Sequence, residues 1–192
     1  MLEFETPIPD YSSRNLRAGQ LVALTGKIFT ARDLAHKRVV DDGLDGLPEG
    51  FRGGVIYHCG PIVCKQGNAW RVIAAGPTTS TRMAEALPRF LKAVKPSAII
   101  GKGGMSGKAV QAMAKLGCPY LSMTGGTATL ASSMVKSARG PYWKDLGSAE
   151  AVWELDVERF GPLVVTIDST GKNLYADVLS MAKRQASEIF PD

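Results

Sequence analysis

Two hydrophobic rhythms alternate along this chain, and the switches between them predict its elements. Residues 20–30 (QLVALTGKIFT) are rich in apolar and β-branched side chains and read as a strand, with Gly26 marking a bulge or bend. From 31 to 41 the rhythm changes: Leu34, Ala35, Arg38 and Val39 recur with a period near four, which predicts a helix. A Gly- and Pro-rich loop (42–54) follows. Strands are then expected at 55–59 and 62–64, split by Gly60 and Pro61, and at 70–75, ending at Gly76 and Pro77. Beyond this point the order strand, turn, helix repeats. Thr79 or Ser80 can cap a helix over 81–94 that Pro96 stops. Strands at 98–100 and 120–123 alternate with helices at 108–116 and 128–137; strands at 153–156 and 163–167 and a helix over 176–190 close the pattern. Residues 1–18 show no periodicity and hold Pro7 and Pro9, so they read as an extended arm before a single domain over 19–192. Strands first and βα units later predict an α/β fold with a mixed sheet.

Composition narrows the classes. With 45% hydrophobic and 21% charged residues the chain matches globular proteins, which excludes intrinsic disorder. No apolar run approaches the ~20 residues of a membrane span, and the first residues are acidic where a signal peptide would be basic. A cytoplasmic protein without membrane contact is expected. Lys and Arg outnumber Asp and Glu by 23 to 18, which favours anionic partners. The excess forms no basic block and aromatics are only 7%, so no nucleic-acid partner is expected. Cys59, Cys64 and Cys118 contain no C-x-x-C pair, and His36 and His58 are the only histidines. That argues against a disulfide framework and against a metal bound by this chain alone.

The informative feature is a set of three strand-to-helix junctions, each with one cation beside small or hydroxylated residues. They are Thr30, Ala31, Arg32 and Asp33; then residues 76–82 (GPTTSTR); then residues 101–106 (GKGGMS). Ligands of α/β sheets bind outside the carboxyl ends of strands, where helix N-termini offer unpaired N–H groups to anions. A single cation at a helix start is unfavourable for the helix and reads as a solvated side chain. Three such junctions read instead as an anion site. Arg32, Arg82 and Lys102 match a compact ligand with two carboxylates better than one phosphate, because Arg grips carboxylates bidentately and Lys acts as a point charge. Nucleotide motifs fail on inspection. Gly107 and Lys108 are followed by Ala109 and preceded five positions earlier by Lys102, and a dinucleotide fingerprint from Gly101 would need Gly where Ser106 stands.

These junctions carry a family resemblance. Residues 30–38 (TARDLAHKR), 76–83 (GPTTSTRM) and 100–105 (IGKGGM) are similar to signatures of class I iron–sulfur hydro-lyases, specifically the β subunit or C-terminal domain of class I fumarate hydratase and L-tartrate dehydratase. The resemblance continues through 124–128 (TGGTA) and 160–168 (FGPLVVTID). It implies a swivelling β/β/α domain, and a partner α subunit that carries a 4Fe–4S cluster, in an α2β2 heterotetramer. It further implies that this chain binds no cofactor by itself. The cysteines then read as small buried hydrophobes. By the same resemblance Arg32, Arg82 and Lys102 bind the substrate carboxylates, Thr78 exchanges the carbon-bound proton, and Thr79 and Met83 shape the pocket. His36 either orients Arg32 or is satisfied within helix–sheet packing; Asp33 either pairs with an Arg or caps the helix start. Lys37 and Arg38 read as solvated or interface charges. The expected activity is the hydration of fumarate to malate. The alternatives are dehydration of tartrate to oxaloacetate and a non-catalytic dicarboxylate-binding or regulatory module.

Overall fold

The computed structural model describes residues 1–105 and 107–190. Among them it forms a mixed α/β fold of nine strands and six α-helices. Strands β2 (Leu21–Thr30), β3 (Val55–Tyr57), β6 (Ala98–Gly101) and β7 (Tyr120–Ser122) run parallel side by side. The long β9 (Val152–Ile167) runs antiparallel to both β7 and β2, so these five strands close into a ring. Outside the ring, β1 (Leu2–Glu5) pairs with β2. On the other side β9 extends through β8 (Val135–Tyr142) to β5 (Ala69–Ala74) and β4 (Ile62–Gln66).

Strand alternation sorts the apolar residues into two cores, as a period of two requires. Val55, Tyr57, Ala98 and Ile100 face one core with Leu24, Leu121 and Trp153. Ile56 and Ile99 face the other, against α2 (Asp33–Asp42), α3 (Leu87–Val94) and α4 (Lys108–Leu116) through Ala35, Val39, Phe90 and Met113. Gly26 behaves as its position in the strand predicts. The β2–β9 register shifts beside it, its φ is +112°, and a Cβ there would meet Thr6 Oγ1 at 2.7 Å.

Four expectations are corrected. The first 18 residues hold β1 and α1 (Asp10–Asn15), with Ile8 and Leu16 buried; elements this short are made by tertiary pairing and leave no readable period. The helix expected over 81–94 is a 3₁₀ turn (Ser80–Met83) followed by α3. Pro88 stands in the first turn of α3, where its missing N–H costs nothing, so it marks a start and not an interior position. The helix expected over 128–137 ends at α5 (Ala128–Ser133), because the chain turns into β8 and pairs with β9. The two strands expected at 153–156 and 163–167 are parts of the single β9. The last helix, α6 (Leu174–Ile189), begins at Asn173, whose side chain accepts from Tyr175 N. Among the described residues no helix is long and apolar enough to cross a membrane.

Candidate active site

The carboxyl ends of β2, β3, β6 and β7 lie in a row, and the candidate residues stand along it. Arg32 follows β2 as the N-cap residue of α2, and Ala31 N donates to Tyr57 O at the end of β3. The loop after β5 crosses over the ends of β3 and β6 and is stitched to both. Thr78 N donates to His58 O at 2.6 Å, Lys102 N donates to Thr78 O at 3.4 Å, and Ser80 N donates to Lys102 O at 3.0 Å. Lys102 follows β6, and its aliphatic stem lies over Gly125 beyond β7. A sequence spread over 70 positions thus delivers Arg32, Thr78, Thr79 and Lys102 to one edge of one sheet.

Only Arg32 of the three cations stands at an α-helix start. Arg82 sits in the 3₁₀ turn, and Lys102 lies well ahead of α4, which Gly107 caps. Strand ends and backbone pairing collect the charges, and helix dipoles contribute at one of the three.

Carboxylates of this chain hold the two arginines. Arg32 Nη2 lies 3.2 Å from Glu150 Oε1, with side chains 23% and 17% exposed, while Arg32 Nε is buried with no hydrogen-bond partner among the described residues. A buried guanidinium N–H left unpaired costs free energy unless a ligand or water meets it. Asp33 does not cap α2 through its side chain; it pairs with Arg82 and lies 3.9 Å from Arg32 Nη2. Glu150 supplies the cap instead, its Oε2 accepting from Leu34 N at 3.0 Å. Arg82 is half-exposed, Thr79 is exposed and Thr78 is partly buried. Thr78 Oγ1 makes no hydrogen bond among the described residues, and no carboxylate among them lies within 4 Å of Lys102 Nζ. Met83, expected to shape the pocket, is buried at 2% exposure and packs into the molecule.

Beneath the loop lies a polar network that sequence reasoning missed. Ser80, read only as a helix cap, is fully buried; its Oγ lies 2.8 Å from His58 Nδ1 and accepts from Tyr120 OH at 2.8 Å. His36 donates from Nδ1 to Arg32 O at 2.9 Å, stacks on Phe90 at 3.9 Å between ring centroids, and meets His58 edge to face at 4.9 Å. It therefore touches Arg32 through the carbonyl while its ring packs between helix and sheet, with Nε2 buried and unpartnered among the described residues. Burial drives His36 down to about 4 and His58 well below the usual histidine range, so both rings are neutral near pH 7. Arg38 pairs with Asp145 and lies over the Trp143 ring.

The thiols do not converge. Cys59 and Cys118 are buried in opposite cores, where burial pushes both up, Cys59 to about 12; Cys64 is exposed on the edge strand β4, against the expectation that all three are buried. Among the described residues no three His, Cys, Asp or Glu side chains cluster to hold a metal ion.

The family profile described as "Fumarase C-terminus" matches residues 2–178. The chain belongs to that family. Among similar proteins, one from Methanocaldococcus jannaschii, provisionally named L(+)-tartrate dehydratase subunit beta, is 40% identical over 179 residues, 92% of each chain. The L(+)-tartrate dehydratase subunit beta of Escherichia coli K12 is 35% identical over 90% of this chain and 85% of its own. A Geobacillus stearothermophilus protein provisionally named fumarate hydratase class I is 35% identical over 98% of this chain but 36% of its own length. The fumarase C-terminus region thus occurs both as a chain of nearly this length and within a much longer one.

Proposed function

We propose that this chain is the dicarboxylate-binding β subunit of a class I hydro-lyase, and that it binds a four-carbon hydroxy acid at the carboxyl edge of β2, β3, β6 and β7. What supports this reading is that Arg32, Thr78 and Lys102 stand along one sheet edge, that Arg32 and Arg82 both meet the Asp33 carboxylate, and that the Thr78 hydroxyl has no hydrogen-bond partner among the described residues. Two carboxylates need two separated cationic contacts, and each contact at ~4 Å and an effective dielectric of ~20 is worth up to about 4 kcal/mol before desolvation. Arg32 Nε adds a buried donor without a partner among the described residues, which a bound carboxylate would satisfy.

Dehydration removes a weakly acidic proton beside one carboxylate and expels hydroxide from the adjacent carbon. Charge grows on that carboxylate as the C–H bond breaks, so a cation fixed beside it lowers the barrier. Arg82 shares a loop with Thr78 and takes this part; Arg32 and Lys102 hold the substrate. Thr78 moves the carbon-bound proton, and its backbone N–H to His58 O fixes where the hydroxyl stands. A threonine hydroxyl is a poor base alone and requires an activating group from the partner chain. No residue of this chain is assigned to the cluster; held by the α subunit, it would supply Lewis acidity toward the leaving hydroxyl.

Malate and fumarate are the substrate pair this reading takes from the resemblance of the 31–38 segment. L-tartrate is the second reading, favoured by the names of the two relatives that match over nearly their whole lengths. Both acids offer two carboxylates to the same cations. The test is anaerobic purification with the α subunit, followed by turnover of malate and L-tartrate side by side. Activity on neither, with dicarboxylate binding retained, leaves the non-catalytic module as the reading.

A further inference from the structure

The buried Tyr120, Ser80 and His58 network lies outside the substrate-contacting set. We propose that Ser80 and His58 are positioning residues, coupled through the Ser80 hydroxyl, that set the loop carrying Thr78 and Arg82 against the ends of β3 and β6. This deepens the functional reading above and rests on it for its catalytic consequence.

Counting donors and acceptors assigns a direction to each hydrogen bond in the network. Tyr120 OH donates to Ser80 Oγ at 2.8 Å. The single Ser80 hydrogen then goes to His58 Nδ1, also at 2.8 Å, because no other acceptor contacts that hydroxyl among the described residues. A neutral His58 accepting at Nδ1 carries its proton on Nε2. His36 must donate from Nδ1, since Arg32 O can only accept, and this leaves a lone pair on its Nε2. Those two Nε2 atoms are both buried without a partner, on rings that meet edge to face at 4.9 Å. Their tautomers are complementary, a donor on His58 and an acceptor on His36.

The hydrogen bonds therefore run from β7 through the loop to His58 just beyond β3, whose ring packs edge to face on His36 of α2. Each backbone the network touches carries a substrate-site residue. Ser80 lies between Thr78 and Arg82, His58 O accepts from Thr78 N, Ser80 N binds Lys102 O, and His36 holds Arg32 O. Gly101 shows how closely the hydroxyls are fitted: a Cβ there would stand 2.0 Å from Ser80 Oγ and 2.8 Å from Tyr120 OH. Losing one member of a buried hydrogen-bonded chain leaves its partners unpaired, which frees the backbone they hold.

The experiment compares Ser80→Ala, His58→Leu and His58→Asn in the assembled enzyme, with folding and assembly checked by circular dichroism and sedimentation. His58→Asn keeps an acceptor near the Nδ1 position. Expected for Ser80→Ala and His58→Leu is a fall in kcat of about tenfold or more with KM within about twofold, and deuterium exchange into substrate slowed in parallel. The His58→Asn variant keeps kcat to within about threefold of wild type. Two readouts need no turnover. In ¹⁵N-histidine spectra wild-type His58 is protonated at Nε2 and His36 at Nδ1, and Ser80→Ala disturbs the His58 pattern. The Thr78 and Lys102 amides also lose hydrogen-exchange protection in Ser80→Ala. Folded variants with wild-type kcat, exchange and protection overturn the proposal, as does a His58→Asn variant as slow as His58→Leu. If wild-type enzyme turns over neither malate nor tartrate, the functional reading fails by itself, and the spectra and amide protection still decide the positioning claim.

Discussion

Thr78 and Arg82 lie four residues apart in one loop and take different parts in the proposed reaction. Thr78→Ala removes a hydroxyl and leaves the cations that hold both carboxylates. Its kcat is expected to fall about 100-fold or more, the usual scale for a lost proton-transfer group, with KM little changed. Deuterium exchange from solvent into malate should slow with it. Normal exchange together with normal turnover would remove Thr78 from the chemistry. Arg82→Lys keeps charge but loses the planar fork, and also weakens the contact with Asp33; a fall in saturated rate of about tenfold or more is expected. His36 carries a prediction about stability. Its folded pKa of about 4 lies below the ordinary 6.5, so the unfolded chain binds more protons between those values. The full contribution is present above pH 6.5 and is lost as pH falls toward 4, roughly 3 kcal/mol over the window. His58 is shifted in the same direction and steepens the loss. Urea unfolding at pH 7.5 and pH 5 should show the drop, and His36→Phe should flatten part of it; equal slopes in the two proteins would refute the assignment.

At the scale of elements, the strand ends position the site, and close backbone approach is what allows it. Gly60, just beyond β3, shows this: a Cβ there would lie 2.5 Å from Arg32 Nη1 and 2.6 Å from Ala149 O. The guanidinium can move, but the carbonyl belongs to the segment that holds Glu150 against Arg32. Gly60→Ala should therefore displace the Arg32–Glu150 pair and raise KM about tenfold, with kcat reduced much less. An unchanged KM would show that Arg32 does not bind substrate. The strands that carry these residues were legible in the sequence because each is a short apolar run bounded by Gly, Pro or a polar turn. Arg32, Thr78, Arg82 and Lys102 were legible as junction motifs. What was hidden is tertiary. The Ser80, His58 and Tyr120 contact joins three separate elements, and Glu150 caps a helix more than a hundred residues away, so no local spacing encodes either. The split of 81–94 was partly visible in Pro88, whose preference for a first helical turn competes with the apolar period that runs through it.

For the molecule as a whole, the proposed function leaves the open face of the site to a second chain. Arg82 is half-exposed and Thr79 exposed, so a dicarboxylate bound here would keep one side in water, where its contacts with the cations are weakest. Among the described residues no side chain hydrogen-bonds the Thr78 hydroxyl, and the three thiols lie in separate places. The proposed function assigns covering the site, activating the hydroxyl and supplying the cluster to the α subunit. The isolated chain is then expected to fold, to stay colourless after reconstitution with iron and sulfide, and to turn over neither malate nor tartrate. Mixing with the α subunit under anaerobic conditions should give one species of α2β2 mass in sedimentation, with activity appearing in proportion to it. Amides around Arg32, residues 76–82 and residues 102–105 should gain hydrogen-exchange protection on mixing, while those of the distant β4 edge should not. Iron–sulfur absorption and turnover from the chain alone would overturn this division of labour. Protection confined to β4 would keep the assembly but move the interface away from the site, leaving Thr78 without its activating group.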